Sequence, residues 1–422
     1  MHFGARVLSL GLLIVGLGLG WRETPAAAGE EWAPVRMEGT PPGVYVEILP
    51  EVELLSGVLA QSSWMKTAGP QGTGNRYFRE LKAFLAPFEG HEAVKAAQRL
   101  TNMGFTYDAP PNFIVSLGPL PELAAPPGGY SGYLRQRARG EAHLERFRRA
   151  LVDLAERSNF ARFFGAHRED YAAWLGRAVI GFRPGLVMDW LHEFFGYRVG
   201  EEFHLVFAPA MFPAGGYGAT VKRGHRTGIY EFVRAAAEGE GDPVFPSGST
   251  LEYLTLHEWG HAFVNPALEK HRDRVRRLAG LYRPVAGLMR QQAYSMDDFF
   301  NEQVLRAVTT LAAGELYGPE TRARSLAYEV DRGFYLTAFT LGELEYYEAH
   351  RDRFPCFVDC VPYLLDRYAA EERELRTKAG HGSGSCRPAK RGGPGQPGAE
   401  AERTLRTRAR SLGLSTSMPI SA

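Results

Sequence analysis

Cysteine is scarce in this sequence. Three among 422 residues are too few for a disulfide scaffold, and there is no second pair to build a zinc knuckle. Cys356 and Cys360, in CFVDC, are open either to pairing in an oxidising compartment or to remaining separate thiols, with Cys386 left over. An excess of charge of one sign is also missing. A formal net charge of +1 gives no field to attract nucleic acid or an anionic membrane, so neither is an expected partner. Internal repeats are absent. Long apolar runs are confined to the N-terminus, where Val7–Gly20 falls short of the roughly 20 residues a membrane span needs. With the basic start MHFGAR and the small residues Ala26 and Ala28 behind it, this run reads as a signal peptide over residues 1–28, with Gly29 as the first mature residue. The expected location is therefore periplasmic or extracellular, without a stable membrane span after cleavage. An uncleaved signal acting as a membrane anchor is the alternative.

What is present reads as a mainly helical α+β protein. Val44–Leu49 has the composition of a short strand, and from there to about Phe195 apolar residues recur at three- and four-residue spacing, as in YFRELKAFLAPF and HLERFRRALVDLAERSNFARFF. The period changes at Glu202. EFHLVFAPAMFPAGGYGATV and TGIYEFVRAA alternate, which predicts two or three antiparallel strands. Helices resume at Ser249 and run to about Tyr368. The expected organisation is a mainly helical part over 29–200, a second part over 201–370, and a disordered tail over 371–422 that is rich in Gly, Pro and Arg.

The chemistry concentrates in TLHEWGHAFVNP, Thr255–Pro266. Ser249 and Glu252 have capping-box spacing at the start of a helix, and Asn265-Pro266 reads as its stop. His257 and His261, four apart, fall on one face with roughly 6 Å of rise between them, which suits two corners of a zinc tetrahedron. Glu258 stands about 100° round the helix, beside such a metal rather than against it, where a carboxylate serves as a general base toward water. Gly260 weakens the helix by roughly 1 kcal/mol relative to alanine and suggests close approach by another element, as for a helix packed under a strand; ordinary packing against a neighbouring side chain is the alternative. LHEFFG, Leu191–Gly196, carries His192 and Glu193 but has glycine where a second histidine would stand, so it reads as structural.

A catalytic zinc needs a third protein ligand. Val264 and Ala267 occupy the positions where a metzincin needs glycine and histidine, and His271 sits in a charged run that reads as a solvated face. In YSMDDFFNEQVLRAVTTLAAGE, Ser295 and Asp298 mark a helix start, and Phe300, Val304, Ala307 and Leu311 form an apolar stripe. Glu302 lies off that stripe between Phe299 and Leu305. Two roles stay open for it: metal ligand with Arg306 as an outer orienting group, or ion-pair partner of Arg306 on a solvated face. Asp297 and Asp298 stand behind it as substitute ligands.

HEWGH followed by a glutamate on a later helix resembles the gluzincin group of zinc metallopeptidases. The stretches VEILPEVELLSGV, YFRELKAFLAPFEGHEAV, FTYDAPPNFIVSLG, GGYGAT, HEWGHAFVNP and NEQVLRAV, between about Val44 and Tyr368, are similar to a family of exported bacterial HExxH proteins known as a domain of unknown function. The resemblance implies one Zn2+ per chain on His257, His261 and Glu302, Glu258 as base, and a peptide or protein substrate. It also implies a zincin-like core in which an edge strand of a small antiparallel sheet lies over the HExxH helix. In AGGYGATV, Gly215, Gly216 and Gly218 then allow close backbone approach, and Tyr217 offers a ring or hydroxyl to substrate; a hairpin with glycines at its turn is the plainer reading. Tyr335, His225 and Tyr217 are the candidates for stabilising a transition state. The spacing from HEWGH to Glu302 is longer than in thermolysin-like enzymes. A zinc-stabilised envelope protein without catalysis and a cell-wall binding module are the competing functions.

Overall fold

The computed structural model describes residues 30–63, 74–199, 202–211, 215–224, 226–235, 240–292 and 294–382. The signal segment 1–28, His225 and the part of the tail beyond 382 lie outside these residues.

Two short strands, β1 (Val35–Arg36) and β2 (Val44–Ile48), precede α1 (Pro50–Ala60). A helical stretch follows: α2 (Arg76–Leu85), α3 (Glu92–Asn102), α4 (Ala109–Ser116), α5 (Gly132–Arg137), α6 (Glu141–Arg157), α7 (Phe160–Ala166), α8 (Arg168–Ala178) and α9 (Pro184–Phe195). Then come β3 (Glu202–Ala208), β4 (Gly215–Arg223) and β5 (Arg226–Arg234). The remainder is helical: α10 (Gly248–Glu269), α11 (Arg272–Arg277), α12 (Ala279–Tyr282), α13 (Ala286–Gln291), α14 (Met296–Tyr317), α15 (Pro319–Asp331), α16 (Thr337–Ala349) and α17 (Phe357–Gly382).

The five strands form one sheet in the order β1-β2-β3-β5-β4. It is mixed rather than antiparallel: β2 runs parallel to β3 and β3 parallel to β5, while β4 pairs antiparallel with β5. The alternation of apolar residues specified strands but not their directions. The chain after β3 passes over one strand position, so that β5 returns into the gap and leaves β4 at the edge. Because β1 and β2 belong to the same sheet as β3–β5, the regions before and after residue 200 share one hydrophobic core.

α10 packs on one face of β4 and β5. α4 lies against β4 from the opposite face, where Arg223 donates to the carbonyls of Val115 and Leu117. α1 packs beside α4 and buries all eleven of its residues, Glu51 and Glu53 included. α9 ends at Gly196 in the left-handed conformation (φ 74°), where a β-carbon would press on Arg351 and Pro355. His192, in the LHEFFG segment, is half-buried and packs edge-on against Phe203 and Phe263.

Three local expectations are corrected. Ser249 and Glu252 form no capping box. Glu252 is buried and accepts from the Nε and backbone N–H of Arg183 at 2.9 and 2.8 Å, because the cation across the interface satisfies it better than the helix start. α10 does not stop at Asn265-Pro266 but carries Pro266 inside to Glu269; burial of Phe263, Val264, Ala267 and Leu268 offsets the lost hydrogen bond. Finally, α17 extends to Gly382, past the expected onset of the tail at 371, and Glu372 packs in close beside Gly280. Cys356 and Cys360 are both free thiols.

Candidate metal centre

The site is built by α10, α14 and β4. α14 opens with a full capping box: Ser295 Oγ accepts from Asp298 N–H at 3.2 Å, and the Asp298 carboxylate accepts from Ser295 N–H at 2.9 Å. That use removes Asp298 as a ligand, and Asp297 faces Arg276 at 3.6 Å. Phe299, Phe300, Val304, Leu305, Ala307 and Val308 are all buried, so α14 is covered on more than one side. Glu302 is carried into the interior by that coverage and is only 7% exposed.

α10 and α14 pack against each other. Gly260 makes the contact possible, since a β-carbon there would stand 2.5 Å from Leu305 Cδ1. The neighbour of this glycine is thus a side chain of the Glu302 helix, not the strand. Trp259, next to this glycine, is buried against Phe203 of β3.

One ligand atom from each of His257, His261 and Glu302 lies within 4.8 Å of the others. His257 Nε2 is 3.5 Å from Glu302 Oε2, and His261 Nε2 is 3.4 Å from Glu302 Oε1. Both are long for hydrogen bonds. They match the edge of a tetrahedron with zinc–ligand bonds of about 2.0–2.2 Å, which is about 3.3–3.6 Å. Glu302 Oε2 lies 2.7 Å from Arg306 Nη2 without hydrogen-bond alignment, and among the described residues it accepts no hydrogen bond. Two imidazole nitrogens facing a buried carboxylate with spare acceptor capacity fit a divalent cation of the zinc type.

Around this group the supporting contacts are well defined. His261 Nδ1 donates to Asn265 Oδ1 at 3.2 Å, which leaves Nε2 unprotonated toward the group centre when a metal is bound. Arg306, buried, pairs with Glu302 and donates to Glu329 Oε2 at 2.6 Å, to the Tyr294 hydroxyl at 3.2 Å, and lies 4.2 Å over the Phe334 ring. Burial opposes the charge of Glu302, but Arg306 and then His257 outweigh it and hold the carboxyl well below its ordinary range. Burial likewise works against a charged His261, yet Glu302 beside it moves the metal-free imidazole up to about 9.

Glu258 does not join the three-residue group. Its carboxylate lies beneath β4, where a β-carbon on Gly216 would come 2.8 Å from Oε1 and one on Gly218 3.0 Å from Oε2. Both glycines point to the α10 face, and the strand lies against α10 because they lack side chains. β4 is the edge of the sheet, and the Gly218 carbonyl accepts from Asn112 Nδ2 at 3.1 Å.

The other expected site residues are not brought in. Tyr217 alternates to the opposite face, where its ring lies 3.9 Å under Arg234 and its hydroxyl accepts from that guanidinium. Tyr335 donates to the Leu281 carbonyl at 2.6 Å. Sequence reading missed Asn265, Tyr294 and Glu329. Asn265 is four residues after His261, a spacing that signals a contact on one helix face. Glu329 comes from a separate helix and leaves no signal.

Residues 45–366 match the family described as a domain of unknown function, DUF4932. No curated protein and no solved structure matches the chain.

Proposed function

We propose that this chain, which belongs to the DUF4932 family, is a zinc-dependent metallopeptidase with a zincin-like arrangement, exported from the cytoplasm by its N-terminal segment. The observation that carries the reading is a division of labour within one helix. His257 and His261 converge on Glu302, whereas Glu258, between them in sequence, stands apart under a glycine-lined edge strand. A site that held zinc for structure alone would fill its positions with cysteine and histidine and would have no use for that separate carboxylate.

In this reading His257, His261 and Glu302 hold one Zn2+, which when bound polarises the scissile carbonyl and activates water. Glu258 accepts the proton of the attacking water and returns it to the leaving amine. Arg306, itself held by Glu329, fixes the Glu302 carboxylate, and Asn265 fixes the tautomer of His261. The glycines of β4 give an extended peptide main chain access to the strand edge above Glu258. The sheet is mixed, but its edge strand still stands over the HExxH helix, which is the feature the mechanism uses.

Zinc content by elemental mass spectrometry, with turnover on a peptide library, tests the proposal. Near one zinc per wild-type chain is expected, with a large loss in Glu302→Ala and full retention in Glu258→Gln. Glu258→Gln should also lose hydrolysis by several orders of magnitude. A wild-type chain that takes up no metal on reconstitution sinks the reading. Hydrolysis that survives in Glu258→Gln removes the glutamate from its assigned role.

A further inference from the structure

β4 and α10 diverge beyond the metal group around a cavity of about 310 Å³. On the strand, the face that carries Gly216 and Gly218 continues through Thr220 to Lys222. On the helix, the stripe that begins at Glu258 continues at four-residue steps through Ala262 and Pro266 to Lys270. Thr220, Lys222, Ala262, Pro266 and Lys270 all line the cavity, with Ile229 of β5 as its roof. The two elements keep pace: six strand steps from Gly216 span about 20 Å, and twelve helix steps from Glu258 span about 18 Å. Small side chains at Ala262 and Thr220 leave the space open. Pro266 has no N–H, so the Ala262 carbonyl at the wall lacks its usual helical donor.

The far end of this cavity is cationic. Lys222 and Lys270 are exposed, and among the described residues neither has a carboxylate partner. Nearby acids are engaged elsewhere: Glu269 with Arg272 and Glu202 with Arg226. The chain's own C-terminal residues 383–422 carry seven arginines and lysines against two glutamates, so they are no electrostatic match for two lysines.

We infer that this cavity is a substrate subsite that takes an apolar side chain next to the scissile bond and an acidic group farther along the same peptide, held by Lys222 and Lys270. The inference rests on the peptidase reading and supplies its substrate class. An extended peptide rises about 3.3 Å per residue, so the acidic group falls five or six residues from the bond above Glu258. The selectivity comes from exposed charges, which makes it modest and sensitive to salt.

The test is binding rather than turnover. Fluorescein-labelled peptides with a central leucine, carrying Glu-Glu or Lys-Lys five and six residues to either side, are titrated by anisotropy against the zinc-loaded Glu258→Gln chain at low salt. The acidic peptide on one side is expected to bind about 3- to 10-fold more tightly than its basic counterpart. The preference should shrink at high salt and reverse in Glu258→Gln carrying Lys222→Glu and Lys270→Glu. A central serine in place of leucine should weaken binding without touching the protein. Equal affinity for acidic and basic peptides, a preference that survives the double reversal, or no binding of either peptide overturns the subsite. Zinc uptake and cleavage in the wild type without the charge preference would sink this inference alone. A charge preference in a chain that never cleaves would sink the peptidase reading and leave a peptide-binding cleft.

Discussion

Gly216 and Gly218 show how much a missing side chain can decide. The space where their β-carbons would sit is already filled by the Glu258 carboxylate. The clash would fall on the end of a flexible side chain, so Gly218→Ala is expected to fold with little loss of stability and to keep its zinc. Glu258, however, must swing away, and if it is the base of the proposed reaction, displacement of a reacting group by about 1 Å costs on the order of 100-fold in rate. Wild-type zinc content with kcat/KM lowered about 10- to 100-fold would bear this out. Unchanged turnover would show that Glu258 works from another rotamer. Arg306 makes the same point about charge. It lies between Glu302 and Glu329, both buried, and its removal would leave two carboxylates without their cation.

At the level of elements, the site depends on how closely two helices approach. His257 and His261 are on α10 and Glu302 is on α14, and Gly260 against Leu305 sets the separation between them. Gly260→Ala gains about 1 kcal/mol of helix propensity but forces a methyl group to within 2.5 Å of Leu305 Cδ1. Overpacking of this kind typically costs about 1–3 kcal/mol. The expected result is a lowered Tm together with zinc affinity reduced by about tenfold or more, since the helices that separate are those that carry the three residues proposed to hold it. Leu305→Ala in the same chain should restore part of both by making room. A Gly260→Ala chain with a lowered Tm and unaltered zinc affinity would mean that the ligand geometry does not depend on this contact.

On the scale of the whole molecule, the core encloses acids that it does not neutralise with cations. Glu53 on α1 is fully buried, with the Tyr77 hydroxyl and the Ala210 N–H beside it, and burial raises its carboxyl to about 8; Glu51, also desolvated, is raised to about 7. Both pKa values exceed the unfolded value of 4.5, so the native state binds more protons than the unfolded chain between those limits. Their contribution to stability is therefore full below about pH 4.5 and is lost as pH rises toward 8. Glu53→Gln is expected to remove much of that slope, raising stability at pH 8 by on the order of a few kcal/mol while changing little at pH 5. Urea denaturation of both chains at the two pH values measures it. Equal gains at the two pH values would show that Glu53 is ionised in the fold.

The shared face of His257 and His261, the place of Glu258 off that face and the covered face of α14 were legible in the sequence because they are one-dimensional regularities: a four-residue spacing and a stripe at helical period. The short strand after Val44, the strands after Glu202 and the helix start at Ser295 were legible for the same reason. Strand direction was not, because alternation is identical in parallel and antiparallel pairs. The ends of α10 and α17 and the partner of Glu252 were misread from local signals because tertiary burial outweighs a proline or a capping preference of a few kcal/mol at most. Glu302 marks the boundary between the two kinds of information. Its sequence surroundings left it equally a ligand or a surface ion-pair partner. The packing of α14 against α10 put its carboxylate 3.4–3.5 Å from two imidazoles. Local spacing determines which side chains share a face, whereas which faces meet is settled by the packing of the whole core.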